Sequence, residues 1–215
     1  MDGYSYFNSH LVAQPATDHL GRACTLKDIK GAPSTLDADA FLRDLLRLRS
    51  SSTSSQTILL PAYDRKLHDP VPDSIAISPD CRVVVVEGLH LLHNEGQWKD
   101  ISTMFHRTVF LDIERSRCFD RVVGRKVGNG RSQECSEAHF LRVDGPIFDQ
   151  LQKEKKRANV VLTVRPIEGE ALRIVNIDAR LKPGEQEGDA RSPVKTSGTV
   201  PVVKVALPAS PAPVL

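Results

Sequence analysis

Three short runs of apolar, mostly β-branched residues constrain the fold of this chain more than any other feature. They are CRVVVVEG (81–88), RTVFLDI (107–113) and ANVVLTV (158–164). Each run is continuously apolar rather than alternating, which is typical of strands that are buried on both faces of a parallel sheet.

Two further runs are weaker strand candidates: RIVNIDAR (173–180) and QTILLPAYD (56–64), the second expected to end at Pro61. Helical patterns separate the strands, and Asp37 and Ser132 are the expected N-caps of the first and third helices. The four helical segments are DADAFLRDLLRLR (37–49), ERSRCFDRVVGRKV (114–127), SQECSEAHFLRV (132–143) and PIFDQLQKEKKR (146–157). Strands that alternate with helices predict an α/β fold built on a parallel sheet.

Composition narrows the class of protein. A chain of 215 residues is long enough for one sizeable domain, and a formal net charge of +2 gives no field that would favour nucleic acid or an anionic membrane. The sequence has no apolar run of about 18 residues and no signal-peptide pattern. Its four cysteines are scattered, as in intracellular proteins with reduced thiols. We therefore predict a cytoplasmic protein with neither nucleic-acid nor membrane partners.

The segment from Leu181 to Leu215 differs in composition from the rest. It contains six of the fourteen prolines and is rich in Ser, Gly and mixed charge. This composition predicts a disordered tail, so the expected organisation is a domain over 1–180 and a tail over 181–215. The run VPVVKVAL (200–207) within it is the alternative, a pairing strand.

Glu87 ends the first β-branched run. An acidic residue at the carboxyl end of a buried parallel strand lies where ligands bind in open α/β sheets. In phosphate-transferring enzymes such a residue holds Mg²⁺ directly or through water. Glu87 is thus a candidate metal ligand or water-positioning group, and a carboxylate that caps the following turn is the alternative.

Polar residues follow Pro61 in PAYDRKLHD (61–69). The ring of Tyr63 suits stacking on a base or sugar, and Asp64 and His68 suit hydrogen bonds to a polyol or base edge. An ordinary polar surface loop is the alternative interpretation.

Two more candidates have charged side chains. Arg121, Arg125 and Arg131 lie near a glycine-rich turn, and guanidinium groups bind phosphate in bidentate fashion. A solvated helix face is the alternative. Asp2 is a candidate to accept a proton from an attacking hydroxyl. A frayed terminus is the alternative interpretation.

Together these blocks resemble the P-loop small-molecule kinases of the phosphoribulokinase/uridine kinase superfamily, in particular the uridine kinase-like branch that includes fructose-transport kinases. The resemblance spans roughly Asp2 to Val164. The blocks that carry it are DGYS (2–5), IKGAPSTLDADAF (29–41), PAYDRKLHDP (61–70), VVVEGLHLLHNEGQW (84–98), RVVGRKVGNGR (121–131) and RANVVL (157–162).

The resemblance implies ATP and Mg²⁺ as cofactors and phosphoryl transfer to a hydroxyl of a nucleoside or sugar-like molecule. It makes Asp2 the candidate general base and Glu87 the catalytic acidic residue that binds the metal. It also implies that Tyr63, Asp64 and His68 bind the substrate. The lid arginines Arg121, Arg125 and Arg131 would bind the ATP phosphates, and Arg121 and Arg125 would also be catalytic.

Some family positions differ in this sequence. Ser5 replaces the histidine of the first block, Leu89 replaces an asparagine after Glu87, and VDGPI (143–147) has apolar residues at two asparagine positions. The sequence also contains no G-x-x-x-x-G-K-[ST] motif, which in P-loop kinases cradles the nucleotide phosphates.

In the family this motif precedes the first block, so we interpret MDGYSYF as the middle of a domain and expect the first, central strand to be missing. The strands predicted at 82–87 and 108–112 then lack a shared neighbour. Each buried backbone group left without a partner costs about 1–3 kcal/mol.

Three functional hypotheses follow. The first is a partial P-loop kinase whose 215 residues are inactive without the phosphate-binding loop. The second is a non-catalytic descendant that binds a nucleotide or a partner. The third is an unrelated α/β binding module.

Overall fold

Seven strands and five α-helices form the α/β fold of the described residues, which in this computed structural model are 1–50, 56–166 and 172–179. The α/β class expected from the sequence is confirmed, and the tail expected over 181–215 lies outside the described residues. Among the described residues, no helix has the length and apolar character needed to cross a bilayer.

The strands are β1 (Pro15–Thr17), β2 (Ala23–Thr25), β3 (Ile58–Asp64), β4 (Asp69–Ile77), β5 (Val109–Asp112), β6 (Val160–Pro166) and β7 (Leu172–Ala179). The α-helices are α1 (Asn8–Ala13), α2 (Ala38–Ser50), α3 (Arg115–Gly128), α4 (Gln133–His139) and α5 (Gly145–Glu154).

A three-stranded sheet contains the second and third β-branched runs. β5 and β6 pair in parallel, with Val109 opposite Val160 and Asp112 opposite Thr163. β7 lies on the other side of β6 and runs antiparallel to it. The helices α3, α4 and α5 form the long crossover that a parallel pair requires. The predictions of strands in RTVFLDI, ANVVLTV and RIVNIDAR are confirmed.

The four predicted helices are present, and two have the expected N-caps. Asp37 Oδ1 accepts a hydrogen bond from Ala40 N at 2.8 Å at the start of α2. Ser132 Oγ accepts one from Cys135 N at 3.2 Å at the start of α4. Both bonds satisfy amide groups that have no partner inside the helix.

β3 and β4 form a separate antiparallel hairpin. The prediction that the first of these strands ends at Pro61 is wrong, because β3 continues to Asp64. Its register shifts between Leu60 and Ala62, so Pro61 lies at an irregularity where its missing N–H interrupts no regular ladder. β4 contains Pro70 and Pro72 and was not predicted, because prolines argue against a strand away from sheet edges.

The prediction of a buried strand at 81–88 is wrong for the described residues. This run takes part in no strand there, and Val83, Val84 and Val85 are 46%, 42% and 70% exposed. A β-strand needs hydrogen-bonded partners, and this run pairs with no strand among the described residues. In the three-stranded sheet, β5 is an edge strand, and Leu111 on it is 63% exposed.

An unpaired strand edge with exposed apolar side chains promotes self-association. We expect Leu111→Lys to raise the concentration at which the protein associates by about tenfold, which corresponds to about 1.4 kcal/mol of association free energy. Sedimentation velocity over a concentration series measures this change. Val12→Lys, at a 58% exposed position on α1, is the control, and an equal effect there would contradict the assignment to the β5 edge.

A cluster of buried apolar residues joins the first turn of the chain to α2. Phe41 and Leu45 lie one helical turn apart and are buried together with Tyr4 and Trp98. The rings of Tyr4 and Phe41 have centroids 4.8 Å apart, and Tyr4 Oη donates to Asp44 Oδ2 at 2.9 Å. These contacts fix the beginning of the chain on α2.

His90 is a fully buried titratable residue in this region. Its Nε2 lies 2.7 Å from the carbonyl oxygen of Gly31. Because a carbonyl only accepts, Nε2 carries the proton, and Nδ1 has no partner among the described residues. Burial lowers the pKa of His90, although the bond to Gly31 and the charge of Glu154 oppose the shift.

We expect the free energy of unfolding to fall as the pH is lowered from about 7 to about 5. The unfolded chain protonates His90 near its ordinary pKa of about 6.5, whereas burial resists protonation in the folded state, so the stability contributed above that pKa is lost as the pH falls. Urea unfolding across this pH range measures the slope. His90→Gln keeps a donor for Gly31 and should flatten the slope, and an unchanged slope would contradict this account.

Candidate functional site

The first turn of the chain packs directly on β3. Residues Asp2–Tyr4 form a 3₁₀ turn, and a Cβ at Gly3 would lie only 2.3 Å from the carbonyl oxygen of Pro61. Glycine is therefore required for this close approach. It brings Asp2 beside the β3–β4 hairpin, where its Oδ2 lies 3.7 Å from the guanidinium of Arg65.

Lys30 is the centre of the cluster that forms there. Its Nζ donates to Tyr63 Oη at 3.0 Å, to the backbone oxygen of His68 at 2.9 Å and to Asn8 Oδ1 at 3.1 Å. The same Nζ lies 5.1 Å from the centroid of the Tyr63 ring, within cation–π range. We call the residues Asp2, Asn8, Lys30, Tyr63 and Asp69 the Lys30 cluster.

The electrostatics of the Lys30 cluster keep Tyr63 protonated. Burial raises the pKa of Tyr63, and the negative charges of Asp2 and Asp69 raise it further. Burial lowers the pKa of Lys30, whereas Asp69 and Asp2 oppose that change. The phenol of Tyr63 consequently keeps its proton, and its O–H is available as a hydrogen-bond donor.

Asp64 and His68 shape the hairpin turn. Asp64 Oδ1 accepts hydrogen bonds from the backbone amides of Lys66 at 2.7 Å and Leu67 at 3.0 Å, and these two bonds lower the pKa of Asp64. His68 adopts a positive φ of 58°, and its side chain is exposed. The turn presents the backbone oxygen of His68 to Lys30 and to Asn8 Nδ2, the latter at 2.9 Å.

On the side of α1, Asn8 links the Lys30 cluster to Lys27. The backbone amide of Asn8 donates to Asp69 Oδ1 at 2.7 Å, and Lys27 Nζ donates to Asn8 Oδ1. Sequence reasoning did not select Lys30, Lys27, Asn8 or Asp69. The available signal was the pair of lysines three residues apart before the turn at Gly31, of which Lys30 lies within the IKGAP segment.

Glu87 lies next to the beginning of the chain. Its backbone oxygen accepts a hydrogen bond from Met1 N at 2.9 Å, and Met1 packs against Gly88. The side chain of Glu87 is exposed. Mg²⁺ is commonly held by one or two carboxylates together with substrate phosphates, and a single free carboxylate at this position fits that requirement. Among the described residues, no group of three or more metal-ligating side chains occurs.

The three predicted lid arginines are exposed. Arg121 and Arg125 lie on α3, and Arg131 follows it. In the described part of the chain, no ion pair involves these side chains, and no hydrogen bond joins them to the Lys30 cluster. The structure therefore brings Asp2, Tyr63, Asp64 and His68 into one region, and no described contact joins the three arginines to it.

α3 is held by a half-buried ionic contact of its own. Lys126 Nζ donates to Asp144 Oδ2 and lies 2.6 Å from His139 Nδ1. Burial favours a raised pKa for Asp144, but the hydrogen bonds from His139 and Lys126 outweigh burial and lower it. Arg121 and Arg125 take no part in this contact, and both are exposed on α3.

Comparison with known proteins identifies kinase-like relatives of this chain. The chain is 35% identical over 159 residues to the "ATP-dependent kinase-like protein notR'" of Aspergillus versicolor, a match that covers 70% of this chain and 89% of that protein. It is 31% identical over 130 residues to the "Putative uridine kinase C227.14" of Schizosaccharomyces pombe, covering 60% and 52% of the two chains. No family model matches the chain.

Among solved structures, the fold is similar to that of the "putative fructose transport system kinase" of Silicibacter sp. TM1040. The TM-score is 0.61 with 24% sequence identity, and the match covers 71% of this chain and 68% of that one. The fold is thus that of a P-loop kinase. Within this class, the chain belongs to the uridine kinase-like branch. It spans between 52% and 61% of the length of several other curated relatives that it matches.

Proposed function

We propose that this protein acts in ATP-dependent phosphoryl transfer to a hydroxyl of a nucleoside or sugar-like molecule, and that the described residues supply its acceptor-binding part. The Lys30 cluster is the observation that carries this proposal. It combines an aromatic face, a protonated phenol, a cation and an open carboxylate beside one hairpin. A small polyol or nucleoside needs such a mixture of stacking surface and hydrogen-bonding groups.

Asp2 is the proposed general base. Its side chain is 59% exposed, and the 3.7 Å contact with Arg65 is too long for a strong hydrogen bond. The carboxylate is therefore free to accept the proton of an attacking hydroxyl. Tyr63 provides the stacking surface, His68 reaches the acceptor from the turn, and Asp64 contributes by ordering that turn.

The ATP side of the proposed site rests on Glu87 and the arginines. Glu87 would hold Mg²⁺ together with phosphate oxygens. Arg121, Arg125 and Arg131 have exposed guanidinium groups without carboxylate partners among the described residues, so they are available for phosphate.

A second candidate function is non-catalytic binding of a nucleotide or partner. It is favoured by the lack of any G-x-x-x-x-G-K-[ST] motif in the 215 residues, because this motif supplies the backbone amides and lysine that bind the nucleotide phosphates. On this sequence alone we expect weak or no turnover of ATP. The two functions share acceptor binding but differ in whether phosphoryl transfer is detected.

Acceptor binding tests the proposal. We expect isothermal titration with uridine, cytidine, fructose and ribose to detect binding of at least one compound, and Tyr63→Ala to weaken it by about tenfold or more, because loss of a stacking contact costs about 1–3 kcal/mol. Lys66→Met, on the exposed turn, is the control. Binding that is unaffected by Tyr63→Ala, or absent for every compound, would contradict the proposal.

A further inference from the structure

A shallow, open cavity shares no lining residue with the Lys30 cluster. It has a volume of about 440 Å³ and opens between the turn Pro33–Thr35 and the turn Gly96–Trp98. Its wall combines apolar and aromatic groups with a few polar ones. The residues that matter for its chemistry are Tyr6, Leu36, His93, Glu95, Gln97 and Trp98.

A buried carboxylate orients the histidine of this cavity. His93 Nδ1 lies 2.6 Å from Glu154 Oε1, and the two residues are only 8% and 4% exposed. With Glu154 as the acceptor of this bond, Nδ1 carries the proton and Nε2 is the remaining polar atom of the ring; Gln150 Nε2 also lies near Nδ1, at 3.3 Å. The other oxygen of Glu154 has no partner among the described residues.

The charge around the cavity is negative. Its lining includes Glu95 but neither lysine nor arginine. Asp39 also lies close by, because its Oδ2 accepts a hydrogen bond from Gln97 Nε2 at 2.8 Å. Burial, together with the charges of Asp37 and Asp39, raises the pKa of Tyr6. This environment disfavours a phosphate or carboxylate ligand and favours a cationic ligand.

We propose that this cavity binds a small organic ammonium ion with an apolar or aromatic body. The ammonium group donates to His93 Nε2 and pairs with Glu95, and the body packs against Leu36 and Trp98. The faces of Tyr6 and Trp98 add cation–π attraction. Glu154 is a positioning residue, because it fixes the tautomer and orientation of His93 without contacting the ligand.

The test uses benzylamine, which is protonated at neutral pH, as the probe for the full chain. Titration calorimetry should detect its binding, with benzyl alcohol and benzoate each bound at least tenfold more weakly. Glu95→Gln should reduce the affinity for benzylamine at least fivefold. Glu134→Gln, another exposed carboxylate at the start of α4, is the matched control and should leave the affinity unchanged.

His93→Gln and Glu154→Gln test the buried pair, and both should weaken binding of benzylamine. Since these buried variants are at risk of unfolding, circular dichroism accompanies each titration, and the exposed Glu95 variant tests the proposal independently of folding. Benzoate bound as tightly as benzylamine, no binding of benzylamine, or an unchanged affinity in Glu95→Gln would each overturn the proposal. None of these outcomes depends on whether the Lys30 cluster binds a hydroxylated acceptor.

Discussion

We expect Phe140→Ala to lower the free energy of unfolding by about 3–5 kcal/mol. Phe140 is fully buried where the π-helical turn Phe140–Asp144 joins α4 to α5. Its ring packs edge-on against Phe119 of α3 at a centroid distance of 5.0 Å, and the guanidinium of Arg115 lies 5.5 Å from its centroid. Truncation removes the aromatic contact between α3 and the turn and leaves a cavity. Urea unfolding monitored by circular dichroism measures the loss.

Leu141→Ala is the matched control for this substitution. Leu141 is the next residue in the chain but is 61% exposed, so its truncation should change the free energy of unfolding by no more than about 0.5 kcal/mol. Similar losses for the two variants would show that the π-helical turn does not direct Phe140 into the core as described.

The second large effect is expected for Gly3→Ala, which should cost about 2–3 kcal/mol of folding free energy. The added Cβ would lie 2.3 Å from the carbonyl oxygen of Pro61, and backbone cannot move aside as a flexible side chain can. The first turn must therefore separate from β3, and Asp2 moves away from Tyr63. We expect acceptor affinity to fall about tenfold or more in the same variant. Thermal unfolding and titration calorimetry measure the two losses.

Gly124→Ala is the control for this prediction. Gly124 lies within α3, and a Cβ there would meet no atom within 4 Å. Because alanine favours the helix by up to about 1 kcal/mol over glycine, this variant should be slightly more stable than the natural chain. A loss of stability at Gly124 equal to that at Gly3 would argue against a specific clash with Pro61.

The sequence predicted those elements whose partners are local or whose runs are strongly apolar. The N-caps Asp37 and Ser132 and the strands β5 and β6 are examples. The run at 81–88 was mispredicted because apolar composition indicates a tendency to be a strand, whereas a ladder needs a neighbour. β3 continues past Pro61 because a register shift accommodates the proline, a feature that composition does not reveal.

Prediction of the candidate site was limited in the same way. Tyr63, Asp64 and His68 were selected because polar and aromatic residues after an apolar run are visible in one segment. Lys30 was not selected, because its role depends on a hydrogen bond to Tyr63, which is 33 residues away in the chain. The hairpin β3–β4 and the turn at Gly3 create that proximity, and neither has a strong local signal.

The central claim is that the Lys30 cluster is the acceptor-binding part of a uridine kinase-like protein. Amide chemical-shift mapping by NMR tests it most directly, with uridine and fructose added separately to the isotopically labelled full chain. The account predicts that the shifted amides cluster at Asp2, Asn8, Lys30, Tyr63 and the turn that ends at Asp69. Shifts confined to other parts of the chain, or no shifts with either compound at millimolar concentration, would contradict it.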